Sequence, residues 1–262
     1  MAQLAQQHSV KLALAIGGRD GSAGFSQLAA NEAAVQVFVA AAKSILTTYG
    51  FEGISVDWEC PGEATLDPAN DTPSFLNLLR ALRTAVGPTK SISAAVAEHL
   101  FFVNGAPTSD LSAFAAVLDW ISPNVYDNFG PWVQVTALDA PMSVFTSTAA
   151  LWHSAGFAKP NIVLGYPLYA RAADVAIGTK GLNLPIIKFL VEDGDNKFTY
   201  DELMALFKSD IGWSRNWDAA ELSAWWGKPN TGHFVHAPDP EAAQARAEWV
   251  VQNGYGGVFL FE

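Results

Sequence analysis

A short apolar segment with three polar side chains, Gly53-Ile-Ser-Val-Asp-Trp-Glu59, opens the clearest strand–loop–helix unit of the chain. We predict a strand here. Thr72-Pro73 then opens a predicted helix that ends before Gly87, because proline suits the first turn of a helix and glycine its end. One face of that helix is apolar and is formed by Phe75, Leu78, Leu79, Leu82 and Val86.

The same alternation of strands and helices continues along the chain. The run Lys11-Leu-Ala-Leu-Ala-Ile-Gly-Gly18 predicts a buried strand, and helical spacing predicts a helix from Asn31 as N-cap to Thr48, with Gly50 just beyond it. Further strands are predicted at 91–97, 119–126, 161–165 and 256–261, and helices at 110–118, 142–155, 200–207 and 240–253. Repeated βα units predict a parallel sheet, either closed into a barrel or left open.

The domain organisation predicted from these elements is a single domain over residues 1–262. Residues 172–196 are glycine-rich with mixed signals, and we expect a long loop or a small insertion there. Six strong strands are predicted, whereas a closed (β/α)₈ barrel needs eight. The sequence therefore predicts α/β architecture and does not decide whether the sheet closes into a barrel.

Composition and charge exclude several classes of function. The 262 residues are 50% hydrophobic, and 15 Lys and Arg against 26 Asp and Glu give a net charge of −11. Such a surface repels phosphate backbones and anionic lipids, so we expect neither nucleic acid nor membrane as a partner. Cys60 is the one cysteine of the sequence, which excludes an internal disulfide or a multi-cysteine zinc site. The first eight residues lack the basic start and apolar run of a secretion signal, so the compartment stays open.

Aromatic residues are abundant, with nine Trp, sixteen Phe and six Tyr. Their rings fill cores, and they also stack on the apolar faces of sugars. We expect Trp58 to belong to the core and place Trp132 in a loop, where ligand stacking and loop packing are equally compatible with its position. Composition alone favours a sugar ligand only weakly.

Three polar side chains, Ser55, Asp57 and Glu59, fall on one face of the predicted strand because alternate residues point the same way. In a barrel, the carboxyl end of a strand is where the chemistry is placed. Two carboxylates held close in a partly dry pocket oppose each other's ionisation, which leaves a protonated acid beside an ionised base. A glycosidase needs this pair, although a solvated acidic face has the same pattern.

Flanking residues give the pattern more specificity. Gly-x-x-x-Asp-Trp-Glu-x-Pro, over residues 53–61, resembles the Asp-Gly-x-Asp-x-Asp-x-Glu signature of glycoside hydrolase family 18, the chitinases and their inactive relatives. Other segments resemble motifs of the same family in the same order. They are Leu14-Ala-Ile-Gly-Gly18, Ser93-Ala-Ala-Val96, Asn124-Val-Tyr-Asp127 with Phe129-Gly-Pro-Trp132, Leu164-Gly-Tyr-Pro-Leu-Tyr-Ala-Arg171 and Gly256-Gly-Val-Phe-Leu-Phe-Glu262.

The resemblance implies a (β/α)₈ TIM-barrel type fold in which the first two βα units are absent from this chain, with a short insertion after the seventh family strand. It implies a retaining, substrate-assisted mechanism, which is an exception to the usual pair of enzymatic carboxylates. Glu59 matches the general acid and Asp57 the carboxylate that orients the substrate's acetamido group. The resemblance also implies that this group and its neighbouring sugar are held by Tyr126 and Asp127, in a cleft shaped by Tyr169 and Arg171.

Partners and cofactors follow from the same resemblance. The expected ligand is chitin or a chito-oligosaccharide, and no metal or organic cofactor is expected because the substrate supplies the nucleophile. His233 and His236 have an i, i+3 spacing, but with no third ligand in view we do not expect a metal there.

Departures from the family pattern leave the activity open. Ser55 stands where the family has its middle Asp and cannot share a proton with Asp57, and Phe261 replaces the Trp that floors the central sugar site. Asn124 replaces a Met and Glu52 the first Asp of the signature. Three alternatives therefore stay open: an active chitinase, a chitin-oligosaccharide-binding lectin-like protein with weak or no turnover, and a truncated product whose unpaired strand edges favour self-association.

Overall fold

The computed structural model describes residues 2–59, 61–63, 65–190 and 198–261. Its helices are α1 Ala2–Gln7, α2 Gly18–Gly21, α3 Phe25–Ala29, α4 Glu32–Tyr49, α5 Asp71–Val86, α6 Ser112–Ala115, α7 Met142–Ser154, α8 Tyr200–Ser209 and α9 Pro240–Asn253. The strands are β1 Ala13–Gly17, β2 Gly53–Asp57, β3 Ser91–Val96, β4 Phe102–Val103, β5 Ala106–Pro107, β6 Trp120–Pro123, β7 Val163–Pro167, β8 Tyr169–Asp174, β9 Lys188–Phe189, β10 Phe198–Thr199, β11 Ser214–Asp218, β12 Ser223–Lys228, β13 His233–His236 and β14 Gly257–Phe261.

The chain forms two compact units. Unit 1 comprises Met1–Pro123 and Ala149–Val163, and unit 2 comprises Asn124–Thr148 and Leu164–Glu262. The cysteine at position 60 and the last part of the predicted 172–196 insertion lie outside the described residues.

Unit 1 is built on a parallel sheet with strand order β1-β2-β3-β6. Ala13 of β1 aligns with Gly53 of β2, which aligns with Ser91 of β3. The predicted parallel sheet is therefore confirmed for these four strands. Two long helices of this unit, α4 and α5, contact each other and have buried apolar faces. The fully buried side chains of α5 are Phe75, Leu78, Leu79 and Leu82.

The ends of α4 confirm the predicted capping residues. The Asn31 side chain accepts a hydrogen bond from the Ala34 amide at 3.1 Å, which satisfies a free donor of the first turn. Gly50 ends the helix in the left-handed conformation, with φ 70°. Both ends of this helix are thus encoded locally.

Several predicted elements differ from the structure at their ends, and three differ most. β6 stops at Pro123 rather than running to 126, and α6 is a single turn rather than the predicted span 110–118. A 3₁₀ turn occupies Lys159–Asn161, so β7 begins at Val163 and continues to Pro167. Pro160 lies within that turn and, without an N–H, it favours a helical start over a strand.

Unit 2 contains an antiparallel sheet with strand order β10-β8-β13-β12-β11, in which β9 also pairs with β8. The sequence patterns did not predict β11, β12 or β13 as strands. An apolar core lies between this sheet and α8, formed by Ala170, Ala172, Leu203, Ala224, Trp226, Val235 and Ala237. A separate two-stranded pairing joins β7 and β14.

A buried cation joins α9 to the rest of unit 2. Arg246 is 0% exposed and donates to the carbonyl oxygens of Ala140 and Leu222 and to the Ser223 hydroxyl. Its guanidinium also lies over the Tyr166 ring, 5.0 Å from the centroid. These bonds satisfy a charge that would otherwise be costly to bury.

Within the part of the chain that the structure describes, no helix is long and apolar enough to cross a membrane.

Candidate active site

The candidate acids of unit 1 lie at the carboxyl end of β2. Asp57 is the last residue of that strand, and Glu59 follows two residues later. Val56 and Trp58 are buried, with 0% and 4% of their surface exposed, whereas Ser55, Asp57 and Glu59 are half-buried. The alternation of the strand thus separates a buried apolar side from a side with three polar groups.

Trp58 is a core residue, as the sequence predicted. Its ring centroid lies 5.6 Å from that of Phe25 and 5.3 Å from that of Phe75. Such aromatic contacts fix the orientation of the strand end that bears the two carboxylates.

Asp57 and Glu59 interact directly. Burial raises the pKa of the Asp57 carboxyl, and a side-chain hydrogen bond with Glu59 lowers it in part. The Glu59 carbonyl oxygen accepts a hydrogen bond from the Ala97 amide at 3.4 Å. At Gly17, where φ is 116°, a Cβ atom would overlap the Asp57 carbonyl oxygen, so β1 approaches this end of β2 as closely as glycine permits.

The loop after Glu59 is held from two sides. The Pro61 carbonyl oxygen accepts hydrogen bonds from the Phe102 amide at 3.2 Å and from the Thr72 hydroxyl at 3.0 Å. The Thr72 hydroxyl also lies 2.6 Å from the Phe102 carbonyl oxygen. Gly62 has a φ of 80°, and a Cβ atom there would overlap that same oxygen. The first turn of α5 therefore organises the loop that follows the candidate acid.

A second group of predicted residues lies in unit 2 and is centred on Asp127. Its Oδ1 atom accepts a hydrogen bond from the Tyr169 hydroxyl at 2.5 Å and another from the Arg171 guanidinium at 2.5 Å. The Arg171 side chain is 2% exposed and that of Asp127 is 43% exposed. The pair therefore presents a carboxylate at the surface and keeps its cation inside.

Trp132 covers this ion pair. The Arg171 guanidinium lies 4.9 Å from the Trp132 ring centroid, and the indole N–H donates to the Asp127 carbonyl oxygen at 3.0 Å. With 54% of its surface exposed, the Trp132 ring remains accessible on its outer side. The loop tryptophan thus both packs and presents an aromatic face.

Electrostatics within this group favour the charged form of Arg171 and the neutral form of Tyr169. Burial lowers the pKa of Arg171. The hydrogen bond and charge of Asp127 and the charge of Asp139 raise it by more, so that the net change is upward. Burial, followed by the charges of Asp139 and Asp127, raises the pKa of the Tyr169 hydroxyl. Tyr169 therefore acts as a hydrogen-bond donor and not as an anion.

Tyr126 is held by a ring stack and a hydrogen bond. Its hydroxyl donates to Asn124 Oδ1 at 2.9 Å, and its ring stacks on Phe261 with a centroid separation of 5.3 Å and an interplanar angle of 3°. Phe261 is 42% exposed. Gly165 lies beneath this arrangement, and a Cβ atom there would come within 2.8 Å of the Tyr126 ring.

The structure thus collects the predicted residues in two groups, one in each unit. Ser55, Asp57 and Glu59 share the end of β2, and the others surround Asp127 or Tyr126. Sequence reasoning noted Asn124 only as a departure from the family pattern and missed it as the acceptor for Tyr126. Its i, i+2 spacing on a strand end was the available signal.

No cluster of three or more His, Cys, Asp or Glu side chains that could hold a metal ion is found within residues 2–59, 61–63, 65–190 and 198–261. His233 forms a 2.6 Å hydrogen bond with Asp174 through Nδ1. Burial lowers the pKa of His236 to about 3, and the Arg246 charge contributes. Both histidines therefore have structural surroundings in the sheet of unit 2.

A family model for glycosyl hydrolases family 18 matches residues 1–262. The chain belongs to this family. The family 18 chain is 28% identical over 283 residues to a probable endochitinase from Caenorhabditis elegans, and the match covers 96% of this chain and 43% of that relative. The chain therefore spans less than half the length of this relative.

Solved chitinase structures share the fold of this family 18 chain. A chitinase from Rhizomucor miehei matches with a TM-score of 0.91 and 22% identity, over 100% of this chain and 82% of the other. A mutant class V chitinase from Nicotiana tobaccum, in complex with NAG4, matches with a TM-score of 0.89 and 22% identity, over 100% of this chain and 78% of the other. The predicted (β/α)₈ TIM-barrel type fold is confirmed, while the absence of two βα units stays a prediction.

Proposed function

We propose that this family 18 chain is a glycosidase that cleaves β-1,4-linked N-acetylglucosamine polymers or oligomers by a retaining, substrate-assisted mechanism. The observation that supports the proposal most strongly is that Asp57 and Glu59 are both half-buried at the end of β2 and lie close enough for the Glu59 side chain to lower the pKa of Asp57. A proton shared between two carboxyl groups supplies both an acid and an anion, which general acid catalysis on a glycosidic bond requires.

In this proposal Glu59 donates its proton to the glycosidic oxygen as the bond from that oxygen to the anomeric carbon breaks. The substrate's acetamido oxygen attacks the same carbon, and Asp57 stabilises the cationic oxazolinium ring that forms. Water then adds to the anomeric carbon and returns a proton to Glu59, so that the configuration is retained. Because burial raises the pKa of Asp57, this carboxyl holds a proton more readily than an exposed one.

The unit 2 residues serve as the sugar-binding group in this proposal. Tyr126 and Asp127 present hydrogen-bonding groups to the acetamido group and its neighbouring sugar, with Tyr169 and Arg171 holding Asp127. The exposed aromatic rings of Trp132 and Phe261 offer stacking faces for sugars.

A second candidate function is a chitin-oligosaccharide-binding, lectin-like protein with weak or no turnover. Ser55 is the observation that favours it, because a hydroxyl on the side of β2 that bears Asp57 donates a hydrogen bond but cannot take up the charge of a second carboxyl. The smaller Phe261 ring, in place of an indole, also favours an altered ligand.

The experiment that tests turnover is release of a chromophore from a chitobioside or chitotrioside glycoside. We expect measurable release by the wild type, and a loss of roughly 10² to 10⁴-fold in Glu59→Gln. Glu248→Gln is the matched control, since Glu248 is an exposed glutamate of α9. A first product with inverted anomeric configuration, detected by NMR, would contradict the mechanism.

Binding without turnover would identify the second candidate. A chito-oligomer at a hundredfold excess over its Kd stabilises the folded chain by about 2.7 kcal/mol, which raises Tm by about 5 to 10 °C. Ser55→Asp separates the two functions further: a gain of roughly 10²-fold in rate shows that only the proton relay is impaired. Neither turnover nor ligand-induced stabilisation would refute both candidate functions.

A further inference from the structure

A buried carboxylate lies directly behind the loop that bears Asp127. Asp139 is 1% exposed and precedes α7 by three residues. Its Oδ1 atom accepts a hydrogen bond from the Phe129 amide at 3.0 Å, and its carbonyl oxygen accepts one from the Asn128 amide at 3.1 Å. Asp139 thus binds both residues that follow Asp127 in the chain.

The backbone held by these bonds is an uncommon one. Asp127 has a φ of 67°, in the left-handed region that few residues other than glycine adopt. Asp adopts this region more readily than most residues other than glycine, and the contacts around it hold it here. Phe129 is 0% exposed and packs against Phe189 and Phe234 at centroid separations of 5.3 and 5.4 Å. Asp139 on one side and this packing on the other therefore fix the direction of the Asp127 side chain.

Asp139 also contributes charge. Its negative charge raises the pKa of Arg171 and that of Tyr169, the two groups that donate to Asp127. A guanidinium with 2% of its side chain exposed needs compensation for the water it has lost. Arg171 is a guanidinium and is charged with or without Asp139, but Asp139 supplies part of the negative charge that compensates its burial, so Asp127 need not supply all of it.

We propose that Asp139 is a positioning residue for ligand binding, which acts through Asp127 by fixing its backbone and by sharing the compensation of Arg171. This rests on the proposed function, in which Asp127 contacts the sugar. The consequence is that a group which touches no ligand sets the affinity for chito-oligosaccharides.

The test uses two substitutions at the same position. Asp139→Asn retains an oxygen that can accept the Phe129 amide but removes the charge, whereas Asp139→Ala removes both. Asp239→Asn is the matched control, because Asp239 is a buried acid of the same unit, 6% exposed, paired with Arg215 by two hydrogen bonds of 3.0 Å. Each is made in the full chain carrying Glu59→Gln, so that binding is measured without cleavage.

The probe is N-acetylated chitotetraose, titrated calorimetrically. We expect the Kd to rise about tenfold in Asp139→Asn and more in Asp139→Ala, in the range for losing a hydrogen bond to a charged group. Asp239→Asn should leave the Kd unchanged. With Glu59 restored, the Asp139→Asn effect should appear in KM for a chromogenic chitobioside more than in kcat, since Asp139 is not part of the acid pair.

A double-mutant cycle separates positioning from a general loss of stability. If Asp139 acts through Asp127, the tenfold effect of Asp139→Asn disappears in an Asp127→Asn background. An unchanged Kd in Asp139→Asn, or an equal effect in both backgrounds, overturns the inference even when the wild type binds. Should Asp139→Asn not fold, Asp139→Glu retains the charge but lengthens the side chain and so displaces the Phe129 bond. An unchanged Kd in Asp139→Glu overturns the claim that Asp139 fixes the Asp127 backbone. A wild type that neither binds nor cleaves refutes the proposed function, and this inference with it.

Discussion

Stability favours the protonated form of the Asp57 carboxyl, whereas the proposed chemistry uses its anion. Burial raises its pKa, and the hydrogen bond with Glu59 offsets only part of that effect. The folded chain therefore binds this proton more tightly than the unfolded chain does. The stability that it contributes is present at low pH and is lost as the pH rises through the raised pKa.

We expect Asp57→Asn to raise Tm at pH 7 and to change it little at pH 3, while turnover falls. The amide carries no charge to desolvate, so the pH-dependent loss disappears. Calorimetry at pH 3, 5 and 7 measures the difference from the wild type.

Asp110→Asn is the control for this prediction, with the opposite sign. A backbone hydrogen bond from Ser112 lowers the pKa of Asp110, so this carboxylate stabilises the fold above its ordinary pKa. Its substitution should lower Tm at pH 7. Lower stability of Asp57→Asn at pH 7 would show that the Asp57 anion is better solvated than its burial indicates.

At Gly165 we expect a substitution to disturb binding through the Tyr126 ring. In Gly165→Ala the added Cβ would meet the Tyr126 and Phe259 rings at 2.8 and 2.7 Å. Overpacking of this kind costs about 1–3 kcal/mol, and displacement of the ring weakens the hydrogen bond from Tyr126 to Asn124. Urea unfolding and chitotetraose titration measure both effects. Gly21→Ala, where no atom lies within 4 Å, should be neutral; a similar loss there would contradict the argument.

Among the elements, α5 links folding to the candidate acid. Thr72 lies in the first turn of α5 and is 4% exposed. The Thr72 hydroxyl is within hydrogen-bond distance of the carbonyl oxygens of Pro61 and Phe102. Thr72→Val keeps the shape but leaves those buried oxygens with fewer donors. The helix itself is intact in such a variant, because its apolar face is unchanged.

Our expectation for Thr72→Val is a loss of about 1–3 kcal/mol in the free energy of unfolding, with lower turnover from a displaced Glu59. Thr72→Ser keeps the hydroxyl and should recover most of both. Denaturant titration and initial rates measure the two effects. Equal behaviour of the valine and serine variants would show that the methyl group, and not the hydroxyl, matters.

Elements with strong local signals could be predicted from the sequence, and elements that depend on distant partners could not. The caps of α4 at Asn31 and Gly50 and both ends of α9 are encoded within a few residues. The antiparallel strands of unit 2 depend on pairing such as His236 with Arg171, far apart in the chain. Their short, aromatic and charged segments show no clean period of two.

The same distinction applies to the candidate site. Asp57 and Glu59 follow from the alternation of one strand, which is a local rule. Asp139 is a single acid in an apolar stretch, and nothing in its neighbours indicates the two amides that it binds. Contacts that a tertiary fold creates between separate loops leave no mark on periodicity.

At the scale of the whole molecule, the net charge of −11 affects ligand choice. N-acetylated chitotetraose is neutral, so its Kd should change little between low and high salt. Deacetylated chitosan oligomers are polycations, and any binding to this acidic surface should weaken steeply as salt screens the charges. Titrations of both ligands at two sodium chloride concentrations measure the contrast. A steep salt dependence for the neutral tetramer would indicate that charge, and not stacking, dominates recognition.

The flat pairing of Tyr126 and Phe261 covers one face of the Phe261 ring, while 42% of the surface of Phe261 is exposed. Along a β-1,4-linked chain, successive sugars are turned over, so a given face recurs only at every second unit. A one-sided platform therefore distinguishes odd from even positions of the polymer. Under the proposed function, a β-1,4-linked ligand should therefore prefer binding registers that differ by two sugars.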